Sequence, residues 1–168
     1  MFNRDVRIFN NDFKFKFRVV GLVKNGDKYL LQAINKSAFF TFPGGHVEIG
    51  ESTKEAVDRE LHEEIPLSFT LGNLKAIIQN IFLTRDGKLF HELGYYYSVE
   101  AAEGVSTDDF EAVENDKGYT KNFRYKWATI EEMKQMDVRP KIVIELLEHP
   151  TNEIKHIVYK NNKKVDEE

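Results

Sequence analysis

The chain has 168 residues with 41% hydrophobic, 12% aromatic and 31% charged side chains, which is typical of one globular domain with a sizeable core. We therefore expect a single domain over residues 1–168. The 24 basic and 28 acidic residues give a net charge of −4. This balance argues against general nucleic-acid binding, and any anionic substrate would need a local positive group. The absence of cysteine excludes disulfides, thiolate catalysis and cysteine-type zinc sites.

No stretch of the sequence has the length and apolarity of a membrane span, and residues 1–12 lack the apolar run of a signal peptide. We expect a soluble, cytoplasmic protein that makes no contact with a membrane.

The first third of the chain is predicted to form a β-hairpin and a further short strand. Residues 13–19, FKFKFRV, alternate between apolar and basic side chains, which indicates a half-buried strand that continues into the apolar run VVGLV. The NGDK sequence at 25–28 favours a hairpin turn, with the returning strand at 29–34. The sequence FFTF predicts another short strand at 39–42, immediately before Pro-Gly-Gly.

A helix is predicted after these glycines, because Ser52 and Glu55 have the spacing of a capping box. Val57 and Leu61 lie on one side of this helix and form its inward-facing stripe. Pro66 ends the helix and favours an extended conformation for the residue before it.

The second half of the chain reads as strands with two short helices. Strands are predicted at 74–84 and 88–100, joined by a tight turn at RDGK, and at 123–130 and 154–160, the last as an edge strand. Residues 102–122 are polar and are predicted to form a mobile loop, and the tail at about 161–168 is predicted to fray. Helices are predicted from the Thr129 cap and at 139–149, with Pro140 near the first turn. This order predicts a mixed β-sheet with helices packed against it.

Three glutamates on the first helix raise the main question of function. Glu60, Glu63 and Glu64 have i, i+3 and i+4 spacing, so they share one face, and each like-charge pair costs a few tenths of a kcal/mol. A run of charges is usually a solvated face. The alternative is a bound cation that removes the repulsion.

The residues around these glutamates follow a regular spacing. The order is Gly45, five residues, Glu51, seven residues, Arg59-Glu60, an apolar residue, any residue, and Glu63-Glu64. This pattern resembles the Nudix box of MutT-type pyrophosphohydrolases, here at 45–67. It fixes many positions over roughly 23 residues, so a chance match is improbable. TFPGG, FHELGYYYSVE and FRYKWATIEEM resemble the wider family, most closely its bacterial ADP-ribose pyrophosphatase-like branch.

The resemblance implies a Nudix-type α/β/α sandwich around a mixed β-sheet. It also implies Mg²⁺-assisted attack of water on a pyrophosphate phosphorus, with Mn²⁺ as a substitute cofactor. The implied substrate is a small nucleotide, namely a nucleoside diphosphate linked to another moiety, as in ADP-ribose. Family members are often homodimers, so a homodimer is one implied assembly.

The family roles transfer by position to residues of the box. Glu60 and Glu64 would be the principal metal ligands, Glu63 a further ligand or a partner of the ligands, and the Gly45 carbonyl an additional ligand. Arg59 would pair with Glu51 and orient the carboxylates. Hard Mg²⁺ takes oxygen ligands of these kinds.

Outside the box, the assignments are less specific. The family's general base is often a glutamate on a loop before the last strand, and either Glu111 or Glu114 fits that description. Glu92, in an otherwise apolar strand, either lines the substrate cleft or pairs locally. Arg18 could reach a phosphate, although strand alternation by itself places it on a polar face. His46 and His62 lack zinc-type spacing and are expected at the surface.

One position departs from the family pattern. Pro66 stands where the family usually has glycine, so the last turn of the helix must end differently. Two other functions stay open: hydrolysis of modified nucleoside triphosphates or of RNA 5′ ends, and a nucleotide-binding module without catalysis. Intact Glu60, Glu63 and Glu64 argue against the binding module.

Overall fold

The computed structural model describes residues 4–116, 118–161 and 163–165. The strands in this part of the chain are β1 (Arg7–Phe9), β2 (Phe13–Asn25), β3 (Lys28–Ile34), β4 (Gly44–His46), β5 (Phe69–Leu83), β6 (Leu89–Ala101), β7 (Phe110–Asp116), β8 (Tyr119–Thr129), β9 (Lys155–Lys160) and β10 (Lys163–Val165). The helices are α1 (Thr53–Glu64), α2 (Ile130–Lys134) and α3 (Ile142–Glu148). Among the described residues, no helix is long and apolar enough to cross a membrane.

The strands form one mixed sheet, as the sequence predicts. The order is β10-β9-β5-β6-β2-β3-β8-β7, and the short β1 and β4 each pair with β2 beside this path. β2 runs parallel to β6 and β5 runs parallel to β9, whereas the other pairs are antiparallel. Long β2 and β6 thus form the centre of the sheet, and β4 lies against the middle of β2.

Successive residues of a strand point to opposite sides of the sheet, so apolar residues of the same strand pack against helices on both faces. Val19 and Val23 of β2 belong to the core beneath α1, whereas Val20 and Leu22 belong to the core beneath α2 and α3. The arrangement is therefore the predicted α/β/α sandwich.

Helix α1 begins and ends as its local sequence predicts. The Ser52 hydroxyl accepts from the backbone N–H of Glu55 at 3.2 Å, and the Glu55 carboxylate accepts from the backbone N–H of Ser52 at 2.9 Å. At the other end Ile65 is extended, with φ −111° and ψ 126°, because the following Pro66 disfavours a helical residue before it.

The predicted loop at 102–122 is wrong in its second half, where β7 and the start of β8 form a hairpin. Phe110 of β7 stacks on Tyr125 of β8 with ring centroids 4.6 Å apart, and Ala112 packs in the core beneath α1. Glu111 and Asn115 are exposed, but so is the apolar Val113, so the sequence of β7 lacks the clear apolar–polar alternation that indicates a half-buried strand.

Three smaller predictions also need correction. The predicted strand at 39–42 is reduced to isolated bridges at Phe40 and Thr41, and the regular pairing begins at Gly44 instead. β9 is not an edge strand, because it lies between β5 and β10. Of the tail predicted to fray, residues 163–165 form β10, whose antiparallel pairing with β9 orders them, while residues 162 and 166–168 lie outside the described part.

Candidate active site

The second half of α1 lies directly over β4, and β4 in turn lies close to β2, and each of these two contacts depends on a glycine. A Cβ at Gly45 would lie 2.0 Å from the carboxyl carbon of Glu60, and a Cβ at Gly44 would lie 2.0 Å from the carbonyl oxygen of Val19. Only a residue without a side chain lets the backbone approach so closely. The Glu60 carboxylate is thereby held against the backbone of Gly45.

Arg59 ties the loop before α1 to the glutamates on it. Its Nε–H and Nη2–H donate to the two carboxylate oxygens of Glu51, at 2.7 and 3.0 Å. Nη1 lies 3.0 Å from Glu60 and 3.3 Å from Glu63, and Nη2 also donates to the His46 carbonyl at 3.0 Å. The expected contact with Glu51 is present, and it lowers the pKa of that carboxyl. The guanidinium offsets part of the repulsion among the carboxylates.

Glu64 is the least satisfied carboxylate of the group. The backbone N–H of Gly44 acts to lower the pKa of Glu64, whereas Glu64 Oε2 is buried and has no hydrogen-bond partner. Burial, then the charge of Glu60 and, more weakly, that of Glu114 raise the pKa of Glu64 to about 8. Burial also raises the pKa of Glu60. A buried anionic oxygen without a partner is costly unless a cation or proton satisfies it.

The helix end that Pro66 alters is supported by two hydrogen bonds. The backbone N–H of Ile65 donates to the Leu61 carbonyl at 2.9 Å. The hydroxyl of Tyr125, on β8, donates to the Glu64 carbonyl at 3.0 Å. These bonds satisfy carbonyls that a glycine-based helix end would normally satisfy with its own backbone.

A cleft of about 420 Å³ opens between the end of α1 and β7. Its lining includes Glu63, Glu64, Pro66 and Glu114, and Glu114 forms an ion pair with Lys121 at 3.4 Å. Glu111 is not among the lining residues and is exposed opposite Arg124. Of the two sequence candidates, only Glu114 therefore shares the cleft with Glu64.

Arg18 and Glu92 form an ion pair at 3.6 Å, with side chains 18% and 9% exposed. Burial lowers the pKa of Arg18, but the charge of Glu92 and those of Glu64 and Glu60 raise it overall. The local pairing foreseen for Glu92 is present, and Arg18 also lies within electrostatic reach of the α1 carboxylates. Arg18 is thus less exposed than strand alternation predicted.

His46 differs from the expected surface histidine. It lies opposite Arg18 in the β2–β4 pairing, and its Nε2 is buried without a hydrogen-bond partner. Burial and the positive charges of Arg18 and Lys16 lower its pKa to about 3, so the ring is neutral. His62 is exposed, as expected.

Sequence reasoning missed Tyr125 and Lys121, which support the helix end and Glu114 respectively. In the sequence, Tyr125 is indistinguishable from the other apolar residues of a predicted strand. Lys121 lies in the segment that was predicted to be a loop. The alternation Phe123, Tyr125, Trp127 was the available signal, because it indicates that the odd residues of β8 face α1.

The chain matches the family described as NUDIX domain over residues 14–147, and it therefore belongs to the Nudix family. It is a Nudix hydrolase, a pyrophosphohydrolase that acts on phosphoric anhydride bonds.

Solved structures share the fold at low identity. A NUDIX hydrolase from Nitrosomonas europaea is 24% identical with a TM-score of 0.57, covering 79% of this chain and 86% of its own. A MutT protein from Bacillus halodurans is 18% identical with a TM-score of 0.56, and the match covers 90% of this chain and 95% of that protein. An ADP-ribose pyrophosphatase from Streptococcus suis is 16% identical with a TM-score of 0.55, and the match covers 84% of this chain and 98% of that protein.

The donors near Glu64 suit the divalent metal that this family typically uses. Carboxylate and carbonyl oxygens of Glu60, Glu64 and Gly45 are hard ligands of the type that Mg²⁺ prefers, and Glu64 Oε2 lacks any other partner. Within the described ranges, no three acidic or histidine side chains are gathered closely enough to hold an ion by themselves. Backbone oxygen and water ligands would have to complete the coordination shell.

Proposed function

We propose that this enzyme hydrolyses the pyrophosphate of a nucleoside diphosphate linked to another moiety, as in ADP-ribose, with bound Mg²⁺ or Mn²⁺. Glu60, Glu63, Glu64 and the carbonyl of Gly45 would hold the cation. The supporting observation is the buried, unpartnered Oε2 of Glu64 at a cleft that is large enough to admit part of a nucleotide.

The cation would lower the pKa of a bound water and offset charge on the phosphoryl oxygens. Arg59 orients Glu60 and Glu63 through its hydrogen bonds, and Glu51 holds Arg59 in place. These contacts support a positioning role for Arg59 and Glu51, since a carboxylate that is fixed before binding loses less entropy when it acts.

Glu114 is the proposed general base. It lies in the same cleft as Glu64, so its carboxylate can accept a proton from water placed between β7 and α1. Lys121, 3.4 Å away, holds the Glu114 carboxylate at the edge of this cleft. A positioned base contributes typically 10²- to 10⁴-fold to the rate.

Arg18 and Glu92, which do not line the cleft between α1 and β7, are proposed to contact the substrate beside the α1 carboxylates. Arg18 is held by Glu92 at 3.6 Å, and its position within reach of Glu60 and Glu64 suits a phosphate that the cation also binds. The guanidinium fork matches phosphate oxygens.

A hydrolysis screen tests this function. Wild type, Glu64→Gln and the control Glu153→Gln, which changes a side chain that is 82% exposed, would be incubated with Mg²⁺ or Mn²⁺. The substrates would be ADP-ribose, nucleotide sugars, dinucleoside polyphosphates, canonical and oxidised nucleoside triphosphates, and triphosphate-ended RNA. Phosphate-containing products would be measured by ion-exchange chromatography.

We expect turnover of nucleoside diphosphate derivatives, which Glu64→Gln reduces at least about 100-fold and Glu153→Gln leaves unchanged. Full activity in Glu64→Gln would exclude the proposed metal site. Turnover of triphosphate-ended RNA alone would replace the small-nucleotide substrate with the RNA-end alternative.

A further inference from the structure

Three basic side chains lie in one stripe across β1 and β2, on the sheet face that carries α2 and α3. Lys16 and Arg18 are two residues apart on β2, so they point to the same face about 7 Å apart. Arg7 of β1 lies directly opposite Lys16, and His46 of β4 lies directly opposite Arg18. Lys16, Arg18 and Arg7 are called the basic stripe below.

The stripe carries more positive than negative charge, although the whole chain has a net charge of −4. Arg18 is paired with Glu92, and Arg7 is 3.3 Å from Asp5. For Lys16, no carboxylate among the described residues lies within ion-pair distance. Three cations and two carboxylates leave an excess of one positive charge at Lys16.

Lys16 is held in place although it lacks a carboxylate partner. Its ammonium nitrogen lies 5.5 Å from the ring centre of Phe90, within cation–π distance, and Phe90 packs on Phe82 with ring centroids 4.7 Å apart. The lysine is partly buried. Burial and the repulsion from Arg18, Lys14 and Arg7 outweigh the attraction of Glu92 and lower its pKa. A charged group kept under repulsion in this way is stabilised by binding an anion.

The stripe begins beside the proposed catalytic centre. Arg18 pairs with His46, the neighbour of the Gly45 that contacts the Glu60 carboxylate, and the charges of Glu60 and Glu64 act on it. Lys16 and Arg7 continue the positive charge away from them. Because the stripe lies on the sheet face opposite α1, a substrate whose scissile pyrophosphate sits at the α1 carboxylates would meet Lys16 only with a group that passes Arg18 and extends along β2.

We propose that Lys16, with Arg18 and Arg7, binds an additional phosphate of the substrate, so that the moiety linked to the nucleoside diphosphate is itself phosphorylated. The link to the substrate rests on the proposed function, whereas anion binding by the stripe does not. Three cations on two strands suit a short polyphosphate. A nucleic acid would need a longer basic surface, because its affinity comes from many phosphate contacts.

Binding of inorganic tripolyphosphate without divalent metal tests the stripe separately from catalysis. Isothermal titration calorimetry would be run in EDTA at low salt on wild type, Lys16→Gln and the control Lys54→Gln, which removes one exposed charge from α1. We expect Lys16→Gln to weaken binding about tenfold, the effect of one charge-assisted contact, and Lys54→Gln to change it less than twofold. Circular dichroism would show that both variants fold.

A pair of substrates then tests the link to catalysis. Diadenosine tetraphosphate carries two phosphates in addition to the two of the scissile pyrophosphate, whereas ADP-glucose carries no phosphate besides those two. We expect Lys16→Gln to raise KM for diadenosine tetraphosphate about tenfold and to leave KM for ADP-glucose unchanged.

The outcomes separate the two proposals. Equal tripolyphosphate affinity in wild type and Lys16→Gln, or an equal change of KM for both substrates, would overturn the stripe as a phosphate site. Lys16-dependent tripolyphosphate binding with no hydrolysis of any nucleotide would overturn the proposed function and retain the anion site.

Discussion

Arg59 and Glu51 form a bidentate ion pair, with Nε–H and Nη2–H donating to the two carboxylate oxygens at 2.7 and 3.0 Å. The pair joins the loop before α1 to the helix that carries the glutamates. Arg59 also contacts Glu60 and Glu63, so the position of these carboxylates depends on a residue that precedes the helix.

The pair makes stability depend on pH in a defined direction. The hydrogen bond from Arg59 holds the pKa of Glu51 below the usual 4.5, so the folded state favours the ionised carboxylate. The stabilisation is therefore fully present above about pH 4.5 and is lost as the pH falls through the lower, folded-state pKa. Glu51→Gln should destabilise the protein by about 1–3 kcal/mol at pH 7 and by much less at pH 3.5.

Urea unfolding of wild type and Glu51→Gln at both pH values measures this difference. Glu153→Gln, on an exposed side chain, is the control and should differ little from wild type at either pH. An equal loss of stability at pH 7 and pH 3.5 would show that the Glu51 charge is not the stabilising feature.

Glu114 is predicted to be the general base because it lies in the cleft beside Glu64. Glu114→Gln should lower kcat about 10²- to 10³-fold because the amide cannot accept a proton from water, whereas Glu111→Gln should keep activity within about threefold of wild type. The two variants carry the same chemical change three residues apart on β7. Steady-state kinetics from pH 6 to 10 compares them, and a larger loss in Glu111→Gln would reverse the assignment.

The close contact between β4 and α1 predicts the effect of a single methyl group. In Gly45→Ala the new Cβ would lie 2.0 Å from the Glu60 carboxyl carbon, so the end of that flexible side chain must move while the backbone stays in place. We expect Mn²⁺ affinity to fall at least about tenfold, with the thermal unfolding midpoint lowered by only a few degrees. Electron paramagnetic resonance titration of Mn²⁺ measures the affinity, and unchanged binding would remove Glu60 from the ligand set.

The helix end at Pro66 is predicted to depend on Tyr125. Tyr125→Phe removes the hydroxyl that donates to the Glu64 carbonyl at 3.0 Å and should cost about 1 kcal/mol in the free energy of unfolding. Tyr119→Phe is the matched control, because the Tyr119 side chain is 78% exposed. Urea unfolding compares the two variants. Equal stability of Tyr125→Phe and wild type would show that the helix end does not need this hydrogen bond.

Features that depend on neighbours in sequence were predictable from the sequence. The capping box of Ser52 and Glu55, the end of α1 before Pro66 and the hairpin after β2 all use residues within a few positions of one another. The spacing of Gly45, Glu51, Arg59 and the glutamates is also local, and it was sufficient to identify the family.

Contacts between distant residues were decided only by the tertiary structure. Glu111 and Glu114 are equivalent in a supposed loop, but on a strand residues three apart point to opposite faces, and pairing with β8 directs Glu114 towards Glu64. The same holds for the stripe, where β1 brings Arg7 beside Lys16. The local sequence determined which chemical groups this protein carries. Which of these groups lie side by side was decided by strand register, because register depends on pairing between residues far apart in the sequence.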